Sequence, residues 1–200
     1  MEQVITDQQA SSIRTLQFVT IAWMVVELCV AVYSGVRSHS IALTAFGADS
    51  AIELLSAVVV LRRFTLGPAT EKRAARISGF LLYGLAAYIL VTSLLSFLSR
   101  SPEAEPTLLG IGLLIAAAFV MPLLGLAKKS LAQNTGSRAL NADAAQSNIC
   151  AYMSWIALAG LLVNRYFHLH WADPVAALLL LPIVLKEAGE ASRGDVCECC

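Results

Sequence analysis

Hydrophobic and polar positions along the chain resolve into six long apolar runs separated by short polar connections: Ile13 to Gly35, Ser40 to Phe64, Ile77 to Leu98, Leu108 to Ala127, Ala139 to Val163 and Ala172 to Leu185. A helix rising 1.5 Å per residue needs roughly 20 apolar residues to cross a bilayer, so each run predicts a transmembrane helix. The sixth is short and is expected to continue past Lys186. Pro122, late in the fourth run, predicts a kink or an early end, whereas Pro174 falls in the first turn of the sixth, where its missing N–H costs nothing. The connections are too brief for an inserted soluble domain. The predicted fold is therefore all-α, a polytopic membrane protein with six transmembrane helices: a cytoplasmic segment over 1–12, a membrane domain over 13–187 and a cysteine-rich cytoplasmic tail over 188–200.

Composition supports that reading. Hydrophobic residues make up 58% and charged residues 14%, with a mean hydropathy of +0.70, well beyond the apolar share of a soluble domain. Fourteen basic residues balance fourteen acidic ones, and no basic tract with interleaved aromatics occurs, so nothing points to nucleic acid. The first apolar run follows a polar, acidic segment and contains Glu27, which fits a retained helix better than a cleaved signal. Cys29 and Cys150 are isolated while Cys197, Cys199 and Cys200 crowd the end, a pattern of reduced thiols rather than paired disulfides.

Basic residues also set an orientation. Arg62, Arg63, Lys72, Arg73 and Arg76 border the second connection, Lys128, Lys129 and Arg138 the fourth, and Arg14, Lys186 and Arg193 join the same side. Only Arg37, Arg100 and Arg165 fall opposite. The positive-inside rule then places both termini in the cytoplasm, and the expected location is a bacterial inner (plasma) membrane.

Four acids lie within the runs: Glu27, Asp49, Glu53 and Asp143. An ionised Asp at mid-membrane costs about 2.5 to 3.5 kcal/mol on insertion scales, against about 0.3 to 0.6 returned by each Leu or Ile. No Lys or Arg is expected deep enough to pair with these acids, so the compensating charge is expected to be a transported ion, or protons in its absence. Asp49 and Glu53 are four residues apart and share one face of the second helix. Asp143, Gln146 and Cys150, at i, i+3 and i+7, share one face of the fifth, with Ser147 flanking it and Asn148 turned away. Oxygen donors alone suit Mg²⁺ or Mn²⁺, and a thiolate shifts preference toward Zn²⁺ and softer ions such as Cd²⁺. Such donors bind metal only when deprotonated, so binding expels protons and suits exchange.

At these residues the chain resembles the transmembrane domain of the cation diffusion facilitator family. In that family an acid-x-x-x-acid pair follows a Ser-containing stretch on the second helix, as in "HSIALTAFGADSAIELLS", an "AD-x-x-H-x-x-x-D" pattern opens the fifth, and Asp-Pro opens the sixth, as in "WADPVAALLLLPIVL". The likeness runs from Leu16 to Glu187. It implies divalent metal export in exchange for protons, with Asp49 and Glu53 as metal ligands. The fifth helix departs from the pattern: "NADAAQSNIC" puts Gln146 where the family has His and Cys150 where it has Asp. Gln146 is then a ligand or only a supporting group, with water or Asp143 completing the shell. The family also usually carries a folded cytoplasmic domain after the sixth helix, where this sequence has the short tail ending "CECC". A homodimer would then form through the membrane helices.

Several residues keep two readings. Asp143 is a ligand or an N-terminal dipole partner, and Glu27 lines the pathway or bonds a neighbouring helix. Cys197, Cys199 and Cys200 capture metal, act as a redox device or have no role. His39, His168 and His170 lie in outer loops, as solvated surface or a weak exit contact. Trp23, Trp155 and Trp171 read as packing and interface anchors. The expected function is a secondary transporter, not an enzyme, moving Zn²⁺ or a softer ion such as Cd²⁺ outward against protons with no resident cofactor. No G-x-x-x-x-G-K-[ST] motif suggests ATP. The rivals are a metal-binding accessory or sensor subunit without transport and, more weakly, a transporter of organic cations, which would gain nothing from Cys150.

Overall fold

The computed structural model describes residues 7–66, 68–98, 104–105, 107–135 and 138–193. Six helices make up almost all of this: α1 (Asp7–Arg37), α2 (Ile41–Leu66), α3 (Pro68–Leu98), α4 (Leu108–Thr135), α5 (Arg138–Phe167) and α6 (Ala172–Arg193). No strand occurs among the described residues, and Cys197, Cys199 and Cys200 lie outside them. Each expected span coincides with one helix, and most helices overrun it. Pro122 does not end α4, which continues to Thr135. A membrane helix tolerates an internal proline when neighbouring helices re-satisfy the freed backbone.

Around the bundle α1 packs on α2, α2 on α3, α3 on α6, α6 on α5, α5 on α4 and α4 back on α1. Across the interior α2 also meets both α5 and α6. Unlike a water-soluble bundle, this one carries large apolar side chains on its outside as well as in its core. Phe18, Phe80, Leu98, Phe119 and Leu123 point outward, while Ala31, Ala42, Ala45, Ala117, Ala157 and Ala177 fill the interior beside Thr20, Ser50 and Ser154. Lipid tails solvate the large outward side chains, and small inward residues let backbones approach. Gly47 shows the closeness: a Cβ there would stand 3.0 Å from the Ala31 methyl and from the Val32 backbone nitrogen. Stretches long and apolar enough to cross a membrane occur at Ser11–Arg37, Arg76–Leu98, Leu108–Thr135 and Asp143–Phe167. The 26 residues of α2 reach about 39 Å, also enough to span. The protein is thus an integral membrane helix bundle.

The phase of α2 is fixed at its first turn. The chain leaves α1 through His39, whose φ of 52° is left-handed, while the Ser40 N–H donates to the Gly35 carbonyl at 3.0 Å. The Ser40 hydroxyl then caps α2, accepting from the Leu43 N–H at 3.0 Å and donating to Asp173 Oδ1 at 2.5 Å. The Ile41 N–H donates to the other oxygen, Asp173 Oδ2, at 2.7 Å. Asp173 therefore sits at the positive end of the α2 dipole and satisfies donors that the helix itself leaves open. This single carboxylate ties the start of α6 to the start of α2 and sets which face of α2 looks inward. Asp173→Ala should lower the stability of the detergent-solubilised protein by about 2 kcal/mol, read as a drop in Tm; an unchanged Tm would show that the cap holds nothing.

Candidate metal-binding site

Two turns into α2, Asp49 faces the interior with 0% of its surface exposed, and Glu53 follows one turn later, also buried. Among the described residues neither Asp49 oxygen has a hydrogen-bond partner, nor does Glu53 Oε1. The charged groups acting on the pair are other acids: Glu27 on Asp49, and Asp49, Glu187 and Glu27 on Glu53. Among the described residues no Lys, Arg or His joins them. Buried polar atoms are nearly always paired, so a buried carboxylate with no partner among the described residues is a candidate functional group.

Other helices supply further donors. Gln146 of α5 lies beside the Glu53 carboxylate. One turn further along α5, the Cys150 thiol is fully buried and donates to Glu27 Oε1 of α1 at 3.3 Å. The Ser50 hydroxyl of α2 stands 3.4 Å from the same oxygen, while Glu27 Oε2 is buried without a partner. The Trp23 indole N–H lies beside Glu27 without reaching hydrogen-bond geometry. Asp49, Glu53, Gln146, Cys150 and Glu27 thus converge on one interior region. Among the described residues, however, no three His, Cys, Asp or Glu side chains stand close enough to hold a metal ion without adjustment. The arrangement offers pairs that a cation would draw together.

Asp143 is placed differently. Its Oδ1 pairs with the Lys128 ammonium at 2.9 Å, and its Oδ2 accepts from Gln17 Nε2 at 2.7 Å. Lys128 also donates to the Ser147 hydroxyl at 2.9 Å and is only 1% exposed. The expectation that no basic residue is deep enough to pair with the membrane acids is therefore corrected. Because α4 runs on past Ala127, Lys128 continues its buried stripe through Met121, Leu124 and Gly125 instead of lying in a loop. Cys150 is seven residues from Asp143, about 10 Å along α5. Asp143 belongs to this second cluster, committed to a cation the protein already carries.

Three groups escaped the sequence reading. Lys128 borders a connection in the sequence pattern, and neither Ser50 nor Glu187 is among its candidate site residues. Glu187 is mostly buried with Oε2 unpartnered, and it acts on Glu53. A signal existed: Asp173, Ala177, Leu180, Val184 and Glu187 follow heptad spacing, and all are buried. His39 and His168 occupy the turns before α2 and α6, each with left-handed φ. Trp155 packs edge to face on Phe119, centroids 6.0 Å apart, and Cys29 faces outward.

Residues 17–196 match the family model described as the cation efflux transmembrane domain. The chain is also 28% identical over 182 residues to the manganese efflux system protein MneS of Bacillus subtilis (strain 168), a match covering 85% of this chain and 62% of that protein. The chain therefore spans less than two-thirds of that relative's length.

The Lys128 cluster yields a thermodynamic test. Lys128→Met should destabilise the bundle by about 3 kcal/mol, because it strands the Asp143 carboxylate. Adding Asp143→Asn should recover most of that loss. A double variant no more stable than Lys128→Met alone, in thermal melts of the purified protein, would remove the pair as a stabilising contact.

Proposed function

The chain belongs to the cation efflux transmembrane family, and from that membership we propose that it exports a divalent metal ion by exchange for protons. The observation that carries the reading is Asp49: a carboxylate fully buried among membrane helices, with both oxygens unpartnered among the described residues and only other acids as the charged groups acting on it there. A dication supplies the missing charge. Asp49, Glu53 and Cys150 are the proposed ligands, with Gln146 either completing the shell or holding Glu53 in position.

In this mechanism the ion sheds water as it reaches the interior, and carboxylates and thiolate replace its hydration shell. Rocking of the helices about α2 then opens the site to the other side. Protons arriving there compete for the same donors and release the metal. With both termini in the cytoplasm, the Lys128 cluster lies at the cytoplasmic end and the Asp173 cap at the outer end. Chains would pair as homodimers through the outward apolar faces of their membrane helices, and no nucleotide is required.

Donor chemistry bears on which ion is carried. The Cys150 sulfur favours Zn²⁺ or Cd²⁺. The relative named for manganese supports a second reading, in which the oxygens of Asp49, Glu53 and Gln146 hold Mn²⁺ and the thiol stays outside the shell.

Purified protein in sealed vesicles containing a metal-sensitive dye should take up Zn²⁺ or Cd²⁺, faster when the lumen is acidic. The direction follows from linkage: donors that must lose protons to bind metal release it best where protons are abundant. Asp49→Asn combined with Glu53→Gln should abolish uptake, and undiminished flux would sink the site assignment. Cys150→Asp should move preference toward Mn²⁺ across a metal panel, whereas Cys150→His should retain Zn²⁺. A selectivity profile unchanged by either variant favours the second reading.

A further inference from the structure

We propose that Glu27 of α1 is itself a metal ligand, filling the coordination position that the Gln146 amide is poorly suited to take. The proposal rests on the transport-site reading above and extends it from two helices to three. Its basis is distance. A tetrahedral ion with a sulfur ligand at 2.3 Å and a carboxylate oxygen near 2.1 Å holds those two atoms about 3.6 Å apart. Cys150 Sγ and Glu27 Oε1 already stand 3.3 Å apart, so loss of the thiol proton leaves a sulfur and an oxygen spaced for one ion with only a small separation.

Independent observations converge on the same place. Glu27 is 0% exposed, and its second oxygen is buried without a partner, so the carboxylate is not saturated by its neighbours. Asp49, with both oxygens unpartnered, is the acid on which Glu27 acts. Ser50, adjacent to Asp49, touches the same Glu27 oxygen at 3.4 Å and ties α1 to this turn of α2. Gln146 meanwhile acts on Glu53, one turn of α5 before Cys150.

The consequence is chemical as well as geometric. A carboxylate adds a negative charge to the donor set where an amide or imidazole adds none. That strengthens the hold on a dication and sharpens the competition from protons. It also makes α1 a moving part of the site, because closing around the ion draws Glu27, Asp49 and Cys150 together from three helices.

The test uses the full chain with Cys29, Cys197, Cys199 and Cys200 replaced by Ser, leaving Cys150 as the only thiol, and Cd²⁺ as the probe. The thiolate-to-Cd²⁺ absorption band reports sulfur ligation directly. Glu27→Gln should weaken Cd²⁺ binding at least about tenfold, and adding Gln146→His should restore it by returning an imidazole from α5. Glu27→Cys, under reducing conditions and with an unaltered size-exclusion profile, should roughly double the band as a second sulfur joins the ion. A band that stays at one-sulfur intensity in Glu27→Cys overturns the proposal, as does a Glu27→Gln affinity within about twofold of the parent while Asp49→Asn still weakens binding. If the parent shows no band and Asp49→Asn has no effect, the underlying site reading fails instead, and the Glu27 proposal with it.

Discussion

Holding Asp49 and Glu53 inside a lipid-embedded bundle, without a basic side chain among the described residues to balance them, is the constraint around which the rest is arranged. Each such acid is expensive to insert, and among the described residues neither Asp49 oxygen nor Glu53 Oε1 has a hydrogen-bond partner. The cost is met by apolar surface elsewhere along the six helices. Stability and proposed function thus pull in opposite directions at the same residues.

Polar groups in the bundle are sorted by whether their partners are permanent. At the start of α2, Asp173 is saturated by Ser40 and Ile41. Around Asp143, the Lys128 ammonium and the Gln17 amide complete the carboxylate. The middle, with Glu27, Asp49 and Glu53, retains unpartnered oxygens. Two clusters whose carboxylates are paired therefore bracket one whose carboxylates are not. The paired clusters tie neighbouring helices together, and in the proposed mechanism the central one exchanges partners with an incoming ion and protons.

Helix α2 is suited to connect these levels because it takes part in both contacts across the interior, with α5 and with α6. Its small residues make that centrality possible. Gly47 brings it against α1, and Ala42, Ala45 and Ser50 leave room where larger side chains would push the helices apart.

The sequence by itself determined the six helices, because long apolar runs have few alternatives in a membrane. It also determined that Asp49 and Glu53 share one face, as do Gln146 and Cys150, because helical periodicity fixes side-chain direction within an element. Periodicity says nothing about which helices face each other. The contact between Cys150 and Glu27 joins residues 123 apart in the chain, and the pairing of Lys128 with Asp143 depended on α4 continuing past Pro122, which local rules for proline argued against. Only tertiary packing decided that Asp143 is spent on an internal cation while Asp49 is not, since that choice depends on which neighbouring helix presents a charge at the same depth.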